Sequence, residues 1–88
     1  MKNYKSNKPC IVCGQNGDNM TTYHHVYTRK AHPEYSEEAW NLMSLCFIHH
    51  AEIHLIGTNR FAQKYKSAND WLKDNGWEFR LSGKVYHD

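Results

Sequence analysis

The chain has 88 residues, a formal net charge of +2, 7 histidines and 3 cysteines. That length allows one domain with a small core, which a metal staple would strengthen. The odd cysteine count excludes full pairing into internal disulfides, and there is no signal peptide or membrane-length apolar run, so a reducing cytoplasm is the expected setting.

Residues 1–9 are polar and basic, with Lys2, Lys5 and Lys8, and read as a flexible arm ending at Pro9. Cys10-Ile-Val-Cys13-Gly14 follows. Two cysteines separated by two residues form a metal knuckle, and the glycine lets the backbone turn so that N–H groups face the thiolates. A thioredoxin-type redox motif has the same spacing but needs a βαβ setting, whereas Gln15-Asn16-Gly17-Asp18-Asn19 reads as a turn. Met20–Tyr27 is rich in β-branched and aromatic residues and reads as a strand holding His24 and His25. Neighbours on a strand face opposite sides. Both histidines can serve one site only if the strand ends or bends there, or if one acts from its edge.

Thr28–Glu38 reads as a polar loop. Its Arg29-Lys30 pair offers two cations to phosphates or to solvent, and Ser36 before Glu37-Glu38 is placed to cap a short helical turn. Trp40–Leu45 reads as a second strand, with Asn41 a turn-type residue near its start. A helix is expected from about Phe47 to a cap at Gly57. Thr58 is expected to cap a second helix through Lys66, with Phe61 and Tyr65 on one face. Ser67-Ala-Asn-Asp70 has capping-box spacing and predicts a third short helix stopping at Gly76. Trp77–Leu81 and Lys84–His87 flank Ser82-Gly83 as a hairpin. Trp71, Trp77 and Phe79 read as core or cover, with base stacking as the sharper alternative.

Cys46-Phe-Ile-His49-His50-Ala-Glu-Ile-His54 draws these pieces together. Cys46 and His49 are spaced as two ligands of one metal at a turn entering a helix. On the helical wheel His49 lies with Ile53 and Ile56, facing inward, whereas His50 and His54 share a different face. Cys10, Cys13, Cys46 and His49 therefore make a closed four-ligand set of the kind expected for structural zinc. His24 with His50 and His54 offers three neutral nitrogens and leaves positions open for water and substrate, the mark of a catalytic metal. Such a site accepts Mg, Mn, Ni or Zn. His25 stands beside it and, with an ordinary pKa near 6.5, suits a general base. Phosphodiester hydrolysis fits this equipment.

His24-His25, then Asn41, then His50 with His54, bracketed by Cys10-x-x-Cys13 and Cys46-x-x-His49, resembles the HNH endonucleases of the ββα-metal type. The likeness covers roughly residues 10–57; His49 stands where the family usually has a fourth zinc-binding cysteine. It implies an α+β fold: a small zinc-stapled ββα-metal (His-Me finger) domain over 10–57, with residues 58–88 adding short helices and a hairpin to the same domain. By position it implies His24, His50 and His54 as ligands of a divalent metal, His25 as the base that activates water, and Asn41 as the residue that holds the loop and orients that base. The Leu-Cys-x-x-His-His-x-x-x-His run with its helical tail is similar to small phage-encoded HNH proteins. The resemblance implies cleavage of double- or single-stranded DNA with a divalent metal, directed in some settings by a phage or host protein. Arg29, Lys30, Arg60 and Lys64 are the candidate phosphate contacts. So few cations imply weak or structure-directed binding.

Two other readings compete. A non-catalytic zinc-stapled module that binds nucleic acid or protein, for example in phage DNA packaging, explains the closed zinc set equally well. It leaves His25, Asn41 and the three-histidine site unexplained. A one-metal fold with incidental histidines predicts a single metal per chain.

Overall fold

A computed structural model describes residues 5–6, 8–14, 21–80 and 84–87. Strand β1 (Lys5–Ser6) pairs antiparallel with β2 (Thr21–His25), which pairs antiparallel with β3 (Leu42–Cys46). The β2–β3 register sets Thr21 opposite Cys46, His24 opposite Met43 and His25 opposite Leu42. Helix α1 (Phe47–Ile56) begins directly after β3, and α2 (Thr58–Lys64) and α3 (Lys66–Asp74) follow. A second antiparallel pair, β4 (Trp77–Phe79) and β5 (Val85–His87), closes the described chain. The fold class is α+β, as expected. Among the described residues no helix is long and apolar enough to cross a membrane.

The core is a single cluster that joins the two halves. Met43, Leu45 and Ile53 from β3 and α1 pack with Phe61, Ala62, Ala68, Leu72 and Trp77, and Cys10 and Cys46 sit in the same cluster. Trp77 is buried, and Trp71 and Phe79 pack against it half-buried, so these rings act as core and cover.

Several local expectations shift, each for a physical reason. Ser6 of the expected loose arm is buried: its hydroxyl lies 2.7 Å from that of Ser44, and β1 adds an edge to β2. The second strand starts at Leu42, because Trp40 and Asn41 belong to a 3₁₀ turn over Ala39–Asn41. Ser36 ends a 3₁₀ turn over Pro33–Tyr35 rather than starting one, since proline pre-sets the first turn. Thr58 makes no side-chain cap. The α1–α2 corner is made instead by Gly57, whose φ of 88° suits glycine and whose carbonyl accepts from Phe61 N–H at 3.0 Å. The second and third helices break at Tyr65, and the Ser67–Asp70 capping box does not form; Asp70 pairs with Lys66 one turn earlier at 2.8 Å. The terminal hairpin forms with shorter strands, and its Ser82-Gly83 turn lies outside the described residues, as does Met20.

Candidate active site

Two clusters of side chains that could bind metal come together on the β2–β3–α1 unit. In the first, Cys10 and Cys13 come from a turn, Cys46 from the last position of β3, and His49 from the first turn of α1. Gly14, at φ 73°, lets the chain fold back so that its N–H reaches the Cys10 carbonyl at 2.9 Å, and Ile11 N–H ties the turn to the Ser44 carbonyl at 3.1 Å. The Cys13 and Cys46 sulfurs are 3.8 Å apart, and His49 Nδ1 lies 3.1 Å from Cys46 Sγ and 3.7 Å from Cys10 Sγ. Two sulfurs on one tetrahedral zinc sit about 3.8 Å apart, given Zn–S bonds of about 2.3 Å. Burial would raise the Cys10 thiol, but backbone N–H groups of Cys13, Cys46 and Val12 outweigh it and bring the pKa from 9.0 down to about 7. A thiol so placed gives up its proton to a metal readily. These four residues could hold a structural metal.

The second cluster is His24, His50 and His54, whose offered nitrogens all lie within 4.8 Å of one another. β2 supplies His24, and α1 lays His50 and His54 one turn apart against it, with ring centroids 5.3 and 5.0 Å from His24. The Nε2 atoms of His50 and His54 are 3.2 Å apart. Two nitrogens on one tetrahedral ion with bonds of about 2.0–2.1 Å would sit about 3.3 Å apart. Thr22, on the same face of β2 as His24, places its hydroxyl 2.6 Å from His50 Nδ1 and so turns Nε2 toward the cluster. His24 is buried, and its Nδ1 has no hydrogen-bond partner among the described residues. Burial, reinforced by the charges His50, His54 and His25 would carry, lowers the His24 pKa from 6.5 to about 3. It stays neutral across the physiological range, the form a metal requires. Burial likewise lowers His50, with His54 and His25 adding to it. The chemistry of this set fits a divalent metal.

β2 ends at His25, which resolves the conflict between adjacent strand residues. His25 is the last paired residue of β2 and sits beside the cluster, close enough to depress both His24 and His50. Its Nε2 lies 3.0 Å from the Ser36 carbonyl. A carbonyl only accepts, so Nε2 carries the hydrogen and Nδ1 the lone pair. Burial lowers the His25 pKa below 6.5 and Arg29 adds to that, while the Ser36 carbonyl and Glu37 oppose it.

Asn41 is fully buried and staples the loop that presents Ser36. Its Oδ1 accepts from Tyr27 N–H at 2.6 Å, and its Nδ2 donates to the carbonyls of Tyr27 at 3.1 Å and Tyr35 at 3.0 Å. Tyr27 is a second anchor that sequence reading missed. Its ring packs against those of His32, Tyr35, Trp40 and Trp77, and its hydroxyl accepts from His87 N–H of β5 at 2.9 Å. Trp77 reinforces the same junction, donating from Nε1 to the Trp40 carbonyl at 2.8 Å. Thr22 was also missed; its place two residues before His24 was the signal available.

The candidate phosphate contacts scatter. Arg29 lies near enough to His25 to influence it, Lys30 is exposed in the same loop, and Arg60 lines a cleft beside the end of α1. Lys64 sits apart, in an ion pair with Glu52 whose other oxygen accepts from Tyr65 Oη at 2.6 Å; the Tyr65 ring packs edge-on against His49.

Sequence comparison agrees with this architecture. Residues 3–79 match the family model described as "Putative HNHc nuclease", and the chain belongs to that HNH family. No curated protein and no solved structure matches it.

Proposed function

We propose that the protein is a metal-dependent DNA endonuclease that hydrolyses phosphodiester bonds, by nicking or by cutting both strands. One observation carries the reading: His25, held by the Ser36 carbonyl at the end of β2, stands beside the His24, His50 and His54 cluster on a ββα unit. His24, His50 and His54 hold the divalent metal, and Cys10, Cys13, Cys46 and His49 hold a structural zinc. Held there, a divalent metal would supply Lewis acidity toward the phosphate and would stabilise charge on the departing oxygen. His25 accepts a proton from the attacking water at Nδ1. Its depressed pKa keeps it neutral and ready near pH 7, and the Ser36 carbonyl and Glu37 then favour the imidazolium that forms. Asn41 acts through the loop, by keeping Ser36 where His25 needs it. Arg29, Lys30 and Arg60 supply phosphate contacts; Lys64, already paired with Glu52, contributes least.

A plasmid-nicking assay tests this, comparing wild type with His25→Ala across Mg, Mn, Ni, Zn and EDTA, with metal content per chain measured in parallel. Metal-dependent nicking lost in the variant, with more than one metal per chain, is the expected result. No nicking with a single zinc per chain would turn the reading to a non-catalytic zinc-stapled binding module. No nicking with two metals bound would point to a phage or host protein that directs the cut.

A further inference from the structure

Two clefts lie outside the two candidate metal-binding clusters. The first, about 590 Å³, lies between the residues following β2, the α1–α2 corner and β5, with Thr28, His32, Arg60, Lys84 and Tyr86 among its walls. The second, about 850 Å³, lies between α2, α3 and the end of β4 and is walled by Asn59, Gln63, Asn69, Lys73, Phe79 and Arg80. Asn59 borders both clefts. The Arg80 guanidinium of the second lies over the Tyr86 ring of the first, 4.4 Å from its centroid. The two clefts therefore adjoin as one groove.

Its charge is one-sided. Arg60, Lys73, Arg80 and Lys84 line it, and among the described residues no carboxylate does. The whole chain has 11 Lys and Arg against 9 Asp and Glu, so an even mixture would place several carboxylates among the same walls. Arg80 also pairs with Glu78, 3.8 Å away and exposed. The remaining walls are amides that both donate and accept, together with the apolar and aromatic surfaces of Ile56, Phe79 and Tyr86. In sequence the groove borders the candidate centre: Val26 directly follows His24-His25, and Ile56 lies two residues beyond His54.

We propose that this groove holds an unpaired DNA strand running from the metal centre, so that the substrate is single-stranded or locally opened DNA. The proposal rests on the nuclease reading for what happens at the metal centre, and on the groove's own walls for what binds there. Cations spaced along a concave track suit phosphates, and recessed ring and amide surfaces suit base faces and edges. A duplex keeps its bases stacked inside and offers such recesses only its phosphates. Each cleft also has the volume of a site that encloses a small organic group, within about 300–1,000 Å³.

The test is binding, measured without cleavage. Zinc-loaded His25→Ala protein, with no further divalent metal added, is titrated into labelled single-stranded and duplex oligonucleotides of one sequence, and anisotropy is followed at several salt concentrations. The same titration is run with Arg60→Gln and Lys84→Gln added; both side chains are exposed, and circular dichroism confirms the fold. The single strand is expected to bind about tenfold tighter than the duplex, and the double substitution should flatten its salt slope by about 1.4 for two lost phosphate contacts. Equal affinity for both forms, or an unchanged slope, would overturn the groove. Selective binding lost in the variant, by a protein whose wild type never nicks any substrate, would support the groove while sinking the nuclease reading. Nicking by wild type that the two substitutions leave unchanged on single-stranded and duplex substrates alike would do the reverse.

Discussion

The residues that matter most are the histidines, and burial tunes them differently. His24 is held neutral down to about pH 3, whereas an unfolded chain takes up its proton near 6.5. Below 6.5 the unfolded state thus binds more protons, and stability falls with pH until the folded residue also protonates. The metal-free cluster is expected to lose on the order of 4 kcal/mol across that window through this one group. Urea unfolding at pH 7.5 and pH 5 should show part of that loss, and His24→Gln should remove most of the pH dependence; a variant as pH-sensitive as wild type would mean the burden lies elsewhere. His25 is depressed below 6.5 as well, so cleavage should stay level through neutrality and decline only as pH drops further and the base is protonated. A rate that instead rises as pH falls from 7 to 6 would exclude His25 as the base. Replacing His25 by Ala should abolish cleavage while leaving unfolding midpoint and metal content nearly unchanged, because the side chain is half-buried at a strand end rather than in the core.

At the scale of elements, the β2–β3 loop and the α1–α2 corner decide where those residues stand. Asn41→Ala would strip one acceptor and two donations from a fully buried position, leaving Tyr27 N–H without its partner. The expected cost is about 2–4 kcal/mol, the range for unpairing several buried polar groups. Cleavage should fall further than stability explains, because Ser36 and with it His25 lose their placement. Loss of stability with full activity in the folded fraction would make Asn41 a scaffold residue only. Gly57→Ala tests the corner. A β-carbon there meets nothing within 4 Å, so the penalty is purely that of φ near 88° and ψ near 160°, about 1–3 kcal/mol. An unaltered urea midpoint would show that the corner adopts another backbone conformation.

For the whole molecule, one core cluster gathers a short chain, and the set Cys10, Cys13, Cys46 and His49 could hold a structural metal. Cys10 and Cys46 belong to both, so Cys46→Ser is expected to unfold the domain, and removal of the structural metal from wild type should do the same. Far-UV circular dichroism before and after chelation checks this; a folded, metal-free domain would reduce the cluster to buried cysteines. Most of the candidate metal ligands could be picked out in the chain because their spacings are local: Cys10 with Cys13, Cys46 with His49, His50 with His54, each pair within about one turn. Helix α1 was legible for the same reason, its register forced by the Gly57 stop. The caps at Ser36, Thr58 and Ser67 were misread because proline, glycine and a Lys66–Asp70 pair settle those termini, and propensity alone cannot rank such competitors. By itself, then, the sequence determined which side chains share a helix face or a turn, since backbone periodicity sets that within a few residues. Only the tertiary structure decided what meets across long loops. It brought Thr22 onto His50, the Ser36 carbonyl onto His25, Tyr27 under β5, and four cations into one groove with no carboxylate among its described walls. Those contacts depend on how the sheet, helices and hairpin pack around a shared core, which no local pattern encodes.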